Sequence, residues 1–109
     1  MTMKSLPLIK QIDMAHSKKF NINYHFDAGH GWFEVSNDKV LRVGLRGDNF
    51  SHFSYAKLVG FTPTYYLEHD CDWLTFLKAA NFKEYEIEIN EIDDGLDSPI
   101  RSYSNIQGK

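Results

Sequence analysis

Two short stretches hold most of the residue types that do chemistry. "YHFDAGHGW", residues 24–32, carries His25, Asp27 and His30, and "YLEHDCDW", residues 66–73, carries Glu68, His69, Asp70, Cys71 and Asp72. Imidazole and carboxylate together are the donor set of Zn²⁺ or Mn²⁺ sites, with His25, His30 and His69 as the nitrogen ligands. The same groups suit acid/base work, with His30 as base or ligand and Asp27 and Asp72 beside it. No spacing here matches an established metal motif. Cys71 near a helix start is a candidate nucleophile, but flanking aspartates oppose a thiolate. "SHFSY", 51–55, sets two serines around His52 without a nucleophile-elbow motif. "RGD", 46–48, resembles the integrin tripeptide and is read as coincidence.

Both clusters also have a structural reading, which the pattern favours. Gly29 and Gly31 can supply positive φ for a tight hairpin turn, and Asp70 or Asp72 can cap a helix. Asn81 can close that helix. Polar residues at turns and caps find local partners, so a His30 pairing with Asp70 or Asp72 would only tie the hairpin to the helix.

The elements that would position these residues follow from periodicity. "FNINYHF", 20–26, alternates, and "WFEV", 32–35, returns. "SNDKVLRVGL" predicts a short helix over about 37–43, capped by Ser36 and ended by Gly44. "SHFSYAK", 51–57, and "PTYYLE", 63–68, read as strands around a Gly60/Pro63 turn. Trp73, Phe76, Leu77 and Ala80 make one apolar stripe, which predicts the main helix over about 71–82. "EYEIEINEI", 84–92, alternates strictly, with Tyr85, Ile87 and Ile89 inward and its acids outward. "LPLIKQIDM" reads as an extended arm or first strand and "HSKK" as a turn. The predicted fold is α+β: a curved, mostly antiparallel sheet of 4–6 strands packed on one main and one short helix. Residues 1–92 form the domain. Residues 93–109 form a flexible acidic and polar tail with Ile100 or Tyr103 as anchors.

Composition bounds the function classes. The 109 residues make one domain, 42% hydrophobic and 15% aromatic, so rings dominate the core. One cysteine excludes an intrachain disulfide. No apolar run reaches a membrane span, and the opening residues lack a signal-peptide pattern, so a cytoplasmic protein is expected. Net charge is −3, and "KEYEIEINEIDDGLD" concentrates the acid. That disfavours direct nucleic-acid binding and points to a partner with a basic surface. Glu84, Glu86, Glu88, Glu91, Asp93 and Asp94 are the candidate contacts, with Tyr65 or Tyr85 as aromatic anchors. No cofactor is expected. The chain is read as a monomer or homodimer, and rows of like charge oppose self-pairing.

"FDAGHGWFEV", "FSHFSY" and "YYLEHDCDWLTFLKA" resemble a family of small phage and mobile-element proteins of unknown function. Those carry a "GHGW" hairpin, an "S-Y-S-Y"-like strand and a "YLEEDCD" helix entry. The likeness covers about residues 22–80. His69 stands where the family pattern is acidic, and Trp73 extends the apolar stripe. The resemblance implies an accessory gene context and no established activity. Small acidic proteins of that context often bind and block a host protein, a defence nuclease included.

Overall fold

The computed structural model describes residues 18–106. The arm expected before them lies outside the described residues. Among these residues six strands form one open sheet: β1 (Lys19–Phe26), β2 (Gly31–Ser36), β3 (Tyr55–Val59), β4 (Thr62–Glu68), β5 (Glu86–Asp93) and β6 (Ser104–Asn105). Their order is β5-β1-β2-β4-β3-β6. The short helix α1 is Asn37–Arg42 and the main helix α2 is Asp72–Phe82. The fold is the α+β arrangement the periodicity predicts. No helix among the described residues is long and apolar enough to cross a membrane.

Every pairing is antiparallel except β1 with β5. Two antiparallel steps separate β4 from β1, so β4 and β5 run the same way. A parallel return needs a crossover, and α2 provides it over one face of the sheet. The apolar stripe of α2 decides which face. Trp73, Phe76 and Ala80 bury against Phe20, Ile22, Val35, Tyr65 and Leu67, with Val40 and Val43 of α1 completing the core. Trp73 stacks on Phe33 at 3.9 Å, and Tyr85 on Phe20 at 4.1 Å. The expected anchors Tyr65 and Tyr85 thus serve the core; Tyr65 is only 8% exposed.

Ser36 caps α1 as predicted, its hydroxyl accepting from Lys39 N at 3.3 Å. Four local expectations are corrected. The turn after β1 is not built on positive φ at Gly29 and Gly31; among glycines, Gly44, Gly60 and Gly95 have it. Asp27 closes that turn instead, its Oδ1 accepting from Gly29 N and His30 N, both at 2.9 Å. Gly31 is needed for space, because a Cβ there would run into the Tyr24 hydroxyl. Neither Asp70 nor Asp72 caps α2, whose N-cap residue is Cys71 without a side-chain bond. Asn81 does not close α2 either; the helix ends one residue later, with Lys83 as its C-cap. Residues 51–54 form a turn rather than the start of a strand, because Asp72 pulls Ser51 and Ser54 toward α2.

The domain also extends past residue 92. Residues 99–102 make a 3-10 turn, and β6 pairs with Tyr55 and Ala56. Ile100 is 1% exposed, and with Tyr103 it covers Trp32 and Tyr66 on the second face of the sheet. Both residues expected to anchor a tail are therefore parts of a second, smaller core.

Candidate functional site

The sheet brings the two clusters to one end. Trp32 pairs with Glu68 across β2 and β4, and Tyr55 opposes Tyr66 across β3 and β4. The β1–β2 turn, the end of β4 and the start of β3 therefore meet. Arg101 arrives from the 3-10 turn. The result is a cleft of about 470 Å³ lined by His30, Trp32, His52, Phe53, Tyr55, Glu68, Asp70, Cys71 and Arg101. That volume suits a small group rather than a flat contact.

Asp27 anchors one wall without facing the cleft. Its side chain has no exposed surface. Arg101 Nε donates to Oδ2 at 2.6 Å and Nη2 to Oδ1 at 2.9 Å. Ser98 N adds a third bond at 2.8 Å. With the turn amides, the lone pairs of this carboxylate are filled. Arg101 first, and the Ser98 amide next, hold its carboxyl well below the usual range. The guanidinium lies 5.5 Å from the Trp32 ring centroid and donates to His30 Nδ1 at 3.1 Å. His30 stacks on Trp32 at 5.9 Å. Arg101 escapes sequence reading: its partner is 74 positions away, and no local motif marks it.

Asp72 is engaged as fully. It accepts from Ser51 N at 3.0 Å, from Ser51 Oγ at 2.8 Å and from Ser54 Oγ. Ser54 is wholly buried and also accepts from Glu68 N at 2.9 Å, so it is a strut between strands rather than a nucleophile. Cys71 is exposed, but local desolvation, then Asp72 and Glu68, push its thiol up. That environment opposes a reactive thiolate.

The three histidines offered as metal ligands do not converge. His25 lies on the second face, with Nε2 at 2.7 Å from Glu34 and Nδ1 at 3.3 Å from Asp94. His30 belongs to Arg101. His69 Nε2 faces Asp70 at 3.0 Å, while its buried Nδ1 has no hydrogen-bond partner among the described residues. Glu68, His69 and Asp70 do bring one ligand atom each within 4.8 Å of one another. Those residues, not the His25/His30/His69 set, could hold an ion.

The acidic candidates divide. Glu86 and Glu88 share the second face with Lys19, and Glu88 pairs with Lys19 at 2.7 Å. Register with Tyr24 and Phe26 puts Glu91 and Asp93 on the helix-covered face. Glu84 sits in the turn before β5 at φ 67°. Asp94 is turned inward to His25 and the Ser98 hydroxyl. Glu91 also borders a shallow depression with Tyr24, His30 and His69. Burial first, then the charges of Glu91, Asp70 and Glu68, raise the Tyr24 hydroxyl.

A scan against protein-family models gives no match, and searches of curated proteins and of solved structures give none either.

Proposed function

We propose that this chain works by binding. It is a small accessory protein of phage or plasmid type that holds a host protein with a basic surface, a defence nuclease complex being one candidate, and inhibits or modulates it. The phage and host terms come from the resemblance over residues 22–80. One observation carries the binding term: the two sets of carboxylates are in opposite states. Asp27 and Asp72, which catalysis would need free, are filled by protein donors. Glu84, Glu86, Glu91 and Asp93 are exposed, with no ion pair among the described residues. Unpaired surface carboxylates on an edge strand steer a basic partner and select against acidic ones.

The test is capture from bacterial lysate by the tagged full chain, read by mass spectrometry. A Glu86→Lys/Glu88→Lys variant runs in parallel, with metal analysis of the purified protein. A stoichiometric basic partner, lost in the folded variant, is the expected result. Unchanged capture would remove the assignment to β5. A second reading, a small metal-dependent enzyme, is favoured by the convergence of Glu68, His69 and Asp70. Near-stoichiometric zinc or manganese with no partner would establish it in place of the first.

A further inference from the structure

We propose that the cleft receives one cationic side chain, an arginine guanidinium or lysine ammonium, projected by the protein partner. This rests on the reading of the chain as a binder of a basic protein. Charge balance inside the cleft is the starting point. Arg101 is neutralised by Asp27, which faces away from the cleft. Glu68 and Asp70 then stand on the opposite wall, with the His69 ring as the one basic group beside them among the described residues.

Apart from that ring, no basic side chain among the described residues lies within ion-pair distance of either carboxylate. The Glu68 side chain is only 14% exposed. Among the described residues its carboxylate takes one hydrogen bond, from Asp70 N at 3.0 Å. A carboxylate so enclosed ordinarily fills more of its lone pairs. The nearest ring nitrogen, His69 Nδ1, is 3.8 Å from Glu68 Oε2, beyond hydrogen-bond reach. His69 is engaged through its other nitrogen, Nε2, which faces Asp70 at 3.0 Å. Nδ1 itself has no hydrogen-bond partner among the described residues, so the Glu68 carboxylate is left to the cleft. A ligand with N–H donors and positive charge meets this need.

The remaining walls match the stem of such a side chain. Phe53 is 60% exposed, the His52 ring lies tilted against it at 4.3 Å, and Tyr55 closes the side toward Trp32. Alkyl carbons pack on these rings while the charged head reaches Glu68 and Asp70. An anion fits badly. Arg101 Nε and Nη2 are already committed to Asp27 and His30, and the two carboxylates would repel it.

The experiment is an NMR titration of the ¹⁵N-labelled full chain with N-acetyl-arginine methylamide. The neutral citrulline counterpart is the control, and agmatine is a third arm. Saturable shifts at residues 52–55 and 68–71 are expected from the arginine probe and not from citrulline. Glu68→Gln keeps Oε1 for the Asp70 amide, so it should fold; it should weaken binding at least tenfold. Equal binding of citrulline, or an unaltered Glu68→Gln, overturns the proposal. Agmatine binding more tightly than the blocked arginine would make the ligand a free amine and overturn the partner assignment. The two readings fail separately. Arginine binding without a captured partner leaves the cleft and removes the β5 reading. Capture that depends on Glu86 and Glu88, with no arginine binding, removes the cleft alone.

Discussion

Asp27 shows how one carboxylate can look catalytic and be structural. Its two oxygens serve the turn amides, the Ser98 amide and Arg101, so one side chain joins the β1–β2 turn to the C-terminal segment. Its folded pKa lies below the unfolded value of about 4. The sign follows: the stabilisation is complete above about pH 4 and is lost as pH falls below it toward the folded value. Urea midpoints measured across the acid range should therefore drop more steeply for the wild type than for Asp27→Asn. A variant with the same acid limb would mean that this pair contributes nothing. Cys71 belongs to the same scale. With its thiol pushed up, Cys71→Ser should leave partner capture intact, and slow alkylation at neutral pH should show the wild-type thiol mostly protonated.

The C-terminal segment and the β1–β2 hairpin are the informative elements. Ile100 plugs a second core formed by Trp32 and Tyr66, and the preceding Pro99 starts the 3-10 turn that presents it. Ile100→Ala should cost about 2–5 kcal/mol, the range for an emptied aliphatic core position. Denaturant unfolding would check this, and Trp32 emission should shift with it. A cost below about 0.5 kcal/mol would show that the segment is not part of the cooperative unit. In the hairpin, Gly31→Ala should abolish stable folding or force Tyr24 out, since the new methyl would occupy the place of the Tyr24 hydroxyl. Far-ultraviolet circular dichroism separates the two outcomes when paired with Tyr24→Ala/Gly31→Ala, which removes the ring carbons as well as the hydroxyl that the new methyl would meet and should regain part of the loss.

At the scale of the whole molecule, the sheet separates its chemistry by face and by end. One face carries the helices and the main core, and part of the other is closed by residues 98–105. Among the described residues, the β5 edge and the cleft both stay open, and both present carboxylates. A complex steered by such a surface should weaken steeply with salt, because the screening length falls from about 10 Å at 0.1 M to about 3 Å at 1 M. Capture that persists unchanged in 1 M salt would point to an apolar contact instead. The exposed hairpin tip, with Leu58, Val59 and Phe61, is the surface to examine in that case.

By itself the sequence determined what local physics decides. Strict alternation set β1 and β5, the i, i+3, i+4, i+7 stripe set α2 and the face it buries, and Ser36 set the start of α1. These follow from side-chain period and capping, which need no distant partner. The gathering of His30, Glu68 and Asp70 at one end was legible only as a possibility, because it depends on strand order. The tertiary structure alone decided that Asp27 answers Arg101, that Asp72 answers Ser51 and Ser54, and that His25 stands apart on the second face. Each of those pairs joins residues far apart in the chain, and a polar side chain takes whichever donor the packed strands bring to it. The same packing made Tyr65 a core residue, whereas alternation along β5 by itself turns Tyr85 inward and puts Glu91 and Asp93 opposite Glu86 and Glu88; register against β1 decided only which of the two faces the helices cover.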